Sequence, residues 1–343
     1  MNRMNVSRFA SIVFGMTLVV LLSGITPFTS LQAQVRPKMQ IAFVSNREGN
    51  SEIYVMDGHG KNLRNLTNNL NTDRDPVWSP DGRKIAFSSF RHGGTGHGKS
   101  AIYVMGADGK NVRRLTYNPE GAGQPAWSPD NRQITFSAYC YYAGDSGPQI
   151  YVMQADGANV RRLTDHSALD YHSAWSPDGR RIAFQSDRNR LVWLDDDIYV
   201  MDANGKNIRN LTEHPGRDRH PMWSPNGRQI VFASIRVGNF GDGNFDAGNY
   251  DIYIMNADGK NIRRLTKDSS DEILPAWSPN GQKIVFSSNR EGNSDIYMIN
   301  ANGTNLRQLT SHPAEDWGPT VTLSVSPVGK RATTWGWLKQ VRK

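Results

Sequence analysis

One stretch of the chain, Pro125–Thr164, decides the fold: PAWSPDNRQITFSAYCYYAGDSGPQIYVMQADGANVRRLT. It contains four short runs that are rich in β-branched and aromatic residues, and each run is bounded by Gly, Pro, Asp or Asn. None of the runs has the spacing of apolar residues that an amphipathic helix requires. The stretch therefore predicts four short antiparallel strands joined by turns.

The same pattern recurs along the chain at intervals of about 50 residues, a period typical of propellers and solenoids. Ile-Tyr and Leu-Thr each occur six times in the same order, and Trp-Ser-Pro occurs at Trp78, Trp127, Trp175, Trp223 and Trp277. Four antiparallel strands per repeat correspond to one propeller blade. The sequence thus predicts an all-β fold, a six-bladed β-propeller of four-stranded antiparallel blades. The blade repeats start near residues 40, 75, 124, 172, 220 and 274.

The two ends of the repeat region indicate how the ring closes. The first strand-like run, Gln40–Phe43, corresponds to the second strand of a blade, so the first blade lacks its innermost strand. A spare innermost-strand region, Pro319–Pro327, follows the sixth repeat, with Val321 or Val325 at the Trp position. We expect the C-terminal strand to join the N-terminal blade, which removes the open sheet edge.

Residues 1–33 have the pattern of a secretory signal peptide. Arg3 and Arg8 precede an apolar run from Ile12 to Leu22, and Ala33 lies at a suitable cleavage position. The apolar run is short for a membrane span, although a retained anchor is the alternative. We expect a periplasmic or secreted protein, residues 34–343, with no transmembrane span after cleavage.

Composition and charge exclude several classes of protein. Apolar residues make up 37% and charged residues 21% of the chain, as in globular proteins. The single cysteine, Cys140, allows neither an intrachain disulfide nor a cysteine zinc site. The net charge of +8 falls to +6 without Arg3 and Arg8, and no basic cluster suggests nucleic-acid binding. Gly93–Ser100 matches a phosphate-binding loop, but a strand-like run follows it instead of the required helix, so no nucleotide is expected.

The units Trp-Ser-Pro-Asp-Gly, Ile-Tyr-Val-Met and Arg-Arg-Leu-Thr resemble the TolB-type propeller repeat, a relative of WD-repeat blades. The resemblance extends from about Met39 to Lys330 and implies a periplasmic six-bladed propeller. It also implies a monomeric, non-catalytic envelope scaffold that binds a protein or peptide partner. The resemblance also implies an α/β domain before the propeller, which we expect to be missing because only about five residues separate Ala33 from the first strand. Because related propellers occur in lyases and peptidases, a polysaccharide-acting lyase or hydrolase is the alternative.

The loops that vary between repeats predict where a partner binds. Loops between the second and third strands, and loops before the Trp-bearing strand, differ in length and lie on one face of a propeller. Variable loops on a rigid scaffold commonly carry binding residues. We expect the ligand-binding residues at this face and the channel mouth to be Asp75, Asp170, His172, Asp218, His220, Glu272, Asp316, Trp317, Tyr141 and Trp193.

Five of the six repeats carry an acidic residue five positions before the Trp position, from Asp73 to Asp316. These carboxylates either cap their loops or form an acidic collar that attracts cations or basic peptides. His172 and His220 occupy the position three before Trp in adjacent blades and could share a ligand; a metal site with Asp170 or Asp218 is conceivable, but the spacing does not support it. Replacing Asp218 and His220 with alanine is expected to weaken partner binding and leave folding intact.

The longest loop contains a weak calcium pattern. Asp242, Asn244 and Asp246 alternate as calcium ligands do, although the position expected for a bidentate Glu holds Tyr253. A loose calcium contact is therefore the one cofactor that the sequence suggests.

Overall fold

The computed structural model describes residues 37–92, 99–117, 121–139, 147–165, 167–189, 196–236 and 248–324. These residues form 24 strands in six four-stranded antiparallel sheets, and no helix lies among them. The predicted all-β six-bladed propeller is confirmed. None of the described segments has the length and apolar character of a membrane-crossing helix.

Each blade has the same four strands, ordered from the channel outward. The innermost strands are β4 (Asp73–Trp78), β8 (Ala122–Trp127), β12 (Asp170–Trp175), β16 (Asp218–Trp223), β20 (Glu272–Trp277) and β24 (Asp316–Leu323). The second strands are β1 (Met39–Ser45), β5 (Lys84–Ser89), β9 (Gln133–Tyr139), β13 (Arg181–Ser186), β17 (Gln229–Ser234) and β21 (Lys283–Ser288).

The outer half of each blade consists of one long strand and one short strand. The third strands are β2 (Glu52–Asp57), β6 (Ala101–Gly106), β10 (Pro148–Gln154), β14 (Asp197–Asp202), β18 (Asp251–Asn256) and β22 (Asp295–Asn300). The outermost strands are β3 (Arg64–Asn65), β7 (Arg113–Arg114), β11 (Arg161–Arg162), β15 (Arg209–Asn210), β19 (Arg263–Arg264) and β23 (Arg307–Gln308). The first arginine of each outermost strand is exposed, as expected for charges that protect a sheet edge.

The ring closes as the sequence predicts. Blade 1 has the strand order β24-β1-β2-β3, so its innermost strand comes from the C-terminal side of the chain. Ile41 lies opposite Val321, and the Lys38 amide donates to Ser324 Oγ at 2.8 Å. Val321 therefore occupies the Trp position of the first blade.

Apolar side chains fill the space between neighbouring blades. The Trp of each innermost strand packs on the preceding blade; Trp78, for example, contacts the cluster that contains Val55 and Leu66. The turns after the third strands dock on the same junctions. A Cβ added to Gly109, which has φ of +84°, would lie 2.7 Å from the Leu66 carbonyl oxygen. This close approach explains why Gly and Leu-Thr recur together in the repeats.

Candidate functional site

A β-bulge interrupts the innermost strand of every blade and sets the geometry of the channel mouth. The residue three positions before the Trp position has a positive φ in all six blades: Asp75 (52°), Gln124 (55°), His172 (48°), His220 (55°), Leu274 (55°) and Gly318 (63°). We call these six residues the mouth ring. A positive φ is unfavourable for a residue other than glycine, and for leucine in particular. A bulge of this kind redirects a side chain at the cost of local strain.

One half of the mouth ring is polar and connected. Ser88 Oγ donates to Asp75 Oδ2 at 2.8 Å, and the Gln124 amide N–H lies 3.3 Å from the same oxygen. Gln124 Nε2 lies 3.0 Å from His172 Nε2, and the rings of His172 and His220 meet edge to face with centroids 4.4 Å apart. Four adjacent blades thus contribute a continuous polar arc.

The other half of the mouth ring is apolar. Leu274 and Gly318 complete the ring, and a Cβ at Gly318 would lie 3.9 Å from Leu274 Cδ1. The residues just before them, Ile273 and Trp317, are also partly buried. The mouth therefore presents an apolar arc opposite a polar one.

The two histidines are held in their neutral form at pH 7. Burial, together with the Arg219 charge, lowers the pKa of His172 from 6.5 to about 4, although the Asp75 and Asp196 charges act in the opposite direction. Burial, His172 and Arg219 hold the pKa of His220 well below 6.5. His220 Nδ1 is buried without a hydrogen-bond partner. The pair therefore offers neutral hydrogen-bonding groups rather than positive charge.

This pair predicts a pH dependence of stability. Below pH 6.5 the unfolded chain binds protons that the folded histidines do not, so stability falls as the pH decreases toward 4. We expect His172→Gln, which copies Gln124 of blade 3, to reduce the loss between pH 7 and pH 5 by on the order of 1 kcal/mol. Burial raises the pKa of Asp218 to about 6, so this carboxyl group makes stability rise as the pH decreases. That contribution is the same in the wild-type protein and in His172→Gln. Urea unfolding at the two pH values measures the difference, and equal losses would contradict it.

The five repeated carboxylates are not available as a collar. Asp73, Asp170, Asp218, Glu272 and Asp316 are fully buried. Each is paired with an arginine that follows the second strand of its blade; Arg188 binds both oxygens of Asp170, at 3.0 and 2.9 Å. In the folded state these buried, arginine-paired carboxylates do not form an exposed acidic collar, and ligand contacts by Asp170, Asp218, Glu272 and Asp316 stay predictions. Loop capping does not describe their main contact either.

The paired arginines were not recognised in the sequence, although a signal was present. They are Arg47, Arg91, Arg188, Arg236 and Arg290, and each packs over an aromatic ring; Arg188, for example, lies 5.1 Å from the Tyr199 centroid. Within blades 2, 4, 5 and 6 the arginine follows its acidic partner by 18 residues. Blade 3 has Ala122 instead, opposite Ala138, and Cys140 at the arginine position. Blade 3 thus lacks both the acid and the arginine of this ion pair.

The remaining predicted site residues fall into two groups. Asp75, His172 and His220 belong to the mouth ring, and Trp317 lies beside it on β24. Tyr141, Trp193, Cys140 and the calcium pattern at Asp242, Asn244 and Asp246 lie outside the described residues. Within the described ranges, no three His, Cys, Asp or Glu side chains are placed to share a metal. Asp170 and Asp218, the acids considered with the two histidines for a metal, bind arginines.

Comparison with known proteins gives a consistent family match. The model of the TolB beta propeller domain matches residues 34–139, 118–190 and 244–333. The Tol-Pal system protein TolB of Desulfosudis oleivorans is 40% identical over 55 residues, which cover 16% of this chain and 13% of that protein. This chain therefore aligns with only a small part of the curated relatives.

Solved structures show the same fold. TolB from Acinetobacter baumannii superposes with a TM-score of 0.69 at 26% identity, covering 82% of this chain and 66% of that one. Hydrazine synthase of Kuenenia stuttgartiensis superposes with a TM-score of 0.67 at 17% identity, covering 84% of this chain and 47% of that one. The second likeness concerns the fold alone, because one propeller fold carries many activities.

Proposed function

We infer that this chain, which belongs to the TolB beta propeller domain family, is an exported, non-catalytic scaffold of the cell envelope. It binds a protein or peptide segment at the channel mouth, and the mouth ring is the main contact. The family match supports the type of protein. The geometry of the mouth ring supports the place of binding.

One observation carries this proposal: the mouth ring holds five different residue types in six blades, all on a backbone with the same positive φ. The Trp position and the residue five before it are nearly constant, because they pack and pair within the blade. The position three before Trp holds Asp, Gln, His, His, Leu and Gly. A backbone with positive φ would favour Gly or Asn at each of these places. Leu274 and the two histidines are therefore better explained by recognition than by folding.

The two arcs indicate what kind of segment fits. The apolar arc at Leu274 and Gly318 would contact an aliphatic or aromatic side chain of the segment. The polar arc would bind backbone or side-chain amides through Asp75, Gln124 and the neutral histidines. The exposed Leu70 and Tyr117 precede β4 and β8 and extend the apolar surface on this face. A partly apolar peptide segment meets these demands.

The enzyme alternative is less well supported by the same geometry. A polysaccharide-acting enzyme needs carboxyl groups free to exchange protons beside the scissile bond. Asp170 and Asp218, on the two histidine-bearing strands, are buried against Arg188 and Arg236, which leaves Asp75 as the single carboxylate of the mouth ring. We therefore do not propose catalysis at the mouth.

A charge placed in the apolar arc tests the proposal. We expect Leu274→Asp to reduce capture of the partner from envelope extract of the source organism at least tenfold, equal to about 1.4 kcal/mol. The variant should fold, because blade 2 carries Asp75 at the equivalent position with the same backbone conformation. Val160→Asp, an exposed position on the opposite face, is the matched control and should capture as wild type does. Equal capture by Leu274→Asp and wild type would refute binding at the mouth.

A further inference from the structure

The junction between blades 6 and 1 lacks the tryptophan that the other five junctions contain. Trp223, for example, packs on Val200 and Leu211 of the preceding blade. At the closing junction Val321 stands opposite Ile41, in the register that places Trp223 opposite Ile230. The apolar cluster at this junction contains Val321 and Met298 but no aromatic residue from β24. Among the described innermost strands, β24 is therefore the one that places no indole at the junction with the preceding blade.

Four other residues at this junction also depart from the repeat. Gly58 replaces the alanine found at Ala107, Ala155, Ala203, Ala257 and Ala301, and Met298 replaces a Val or Ile. Met39 stands where the other second strands are preceded by Arg or Gln, and His59 stands where the other turns have Asp or Asn. A Cβ at Gly58 would collide with the Met39 side chain. Gly58 is smaller than alanine, Met39 and Met298 are flexible apolar side chains, and His59 replaces an acidic or amide side chain.

A cleft of about 740 Å³ lies at this junction, within the range of ligand-binding pockets. We call it the seam cleft. Met39, Met298 and Leu306 supply its apolar lining, while Lys38, Lys283 and Arg307 supply positive charge. The cleft is formed by the turns after the third strands, so it opens on the face opposite the channel mouth.

The seam cleft shares two lining residues with the place that an indole takes at the other junctions. In blade 4 the Arg181 guanidinium lies 4.7 Å from the Trp223 ring, and Val200 packs against the same indole. The equivalent residues in blade 6 are Lys283 and Met298, and both line the seam cleft. Lys283 and Met298 thus stand where Arg181 and Val200 contact the indole in blade 4, while Val321 takes the place of that tryptophan.

The charge of the lining selects an anionic occupant. Asp57 is its one acid, and that carboxylate already accepts hydrogen bonds from the His59 and Lys61 amides and the Asn62 side chain. The lysines and arginine therefore dominate the potential of the cleft. Residues 325–343 of this chain carry five basic side chains and no acidic one, so they do not complement this charge.

We propose that the seam cleft binds an acidic peptide segment of a partner protein by taking up one aromatic side chain that is flanked by carboxylates. The aromatic ring replaces the missing indole and packs on Met298 and Leu306. The flanking carboxylates pair with Lys283 and Arg307. This site is independent of the channel mouth, so either proposal stands if the other fails.

A short acidic peptide with one central tryptophan, acetyl-Asp-Glu-Trp-Glu-Asp-amide, tests the proposal. With 5-fluorotryptophan in that position, ¹⁹F NMR reports binding to the full-length protein without interference from its own tryptophans. We expect saturable binding, and the same peptide with alanine in place of tryptophan should not compete. Absence of saturable binding, or equal competition by the alanine peptide, would overturn the proposal.

Two pairs of variants locate the peptide. Val321→Trp places an indole of the protein itself at the closing junction, where it competes with the peptide's ring, and should weaken binding at least tenfold. Val112→Trp, at an exposed position, should not weaken binding. Lys283→Gln should weaken binding several-fold, whereas Lys84→Gln, the equivalent change in blade 2, should not. Retained binding by Val321→Trp would contradict the location. If the peptide binds to the protein that carries both Trp335→Ala and Trp337→Ala but not to the wild-type protein, the chain's own C-terminal residues occupy the cleft. That result would rule out a partner peptide.

Discussion

Replacing Asp218 by alanine is expected to lower the free energy of unfolding by about 3–5 kcal/mol, the usual cost of leaving a buried charge without its partner. Asp218 has no exposed surface, and Arg236 donates to both of its oxygens. The Arg236 guanidinium also lies 5.4 Å from the Phe232 ring, so it cannot turn to solvent without losing that contact. Urea unfolding at pH 7 measures the effect.

A matched variant separates the buried charge from lost packing. Asp218→Ala combined with Arg236→Met imitates the uncharged arrangement of blade 3 and should recover most of the stability. If Asp218→Ala alone unfolds within 1 kcal/mol of wild type, or if the double variant is no more stable, the ion pair is not the reason for the repeated acid. Replacing Asp218 together with His220 is therefore expected to destabilise the fold, unlike the expectation from the sequence, because Asp218 is buried and only His220 faces the mouth.

Trp223→Ala is expected to cost about 3–5 kcal/mol, as other large-to-small changes in protein cores do. The indole is 5% exposed and fills the junction between blades 5 and 4. Val321→Ala, the equivalent change at the closing junction, should cost less than half as much, because valine loses fewer atoms than tryptophan and Val321 is only partly buried. Thermal and urea unfolding of both variants test this order. Equal losses would mean that the closing junction is packed as tightly as the others.

The fold followed from the sequence because each recurring residue has a local cause that is visible in the pattern. The Gly and Leu-Thr markers meet where the turn of one blade contacts its neighbour, and Trp fills the space beside them. The closing strand could be predicted because one blade lacked its innermost strand and one such strand was spare. Repeated packing leaves a repeated sequence.

The site was predicted less completely, for two physical reasons. The sequence shows the acids but not their arginines, because each arginine lies in the loop after the second strand and meets the acid of the innermost strand only when the sheet forms. The mouth ring was noticed as a variable position, but its positive φ depends on a bulge that no residue type marks, since Asp, Gln, His, Leu and Gly all adopt it. The seam cleft results from several small departures that are meaningful only when the ring is closed.

Site-directed photo-crosslinking is the most direct test of binding at the channel mouth. A photoreactive phenylalanine analogue at Leu274 would report on the apolar arc, and the same analogue at Val160 would report on the opposite face. In envelope extract, the account predicts one dominant adduct from position 274 that is absent from position 160. No adduct at 274, or the same adduct at both positions, would contradict the proposal that this propeller holds its partner in the mouth ring.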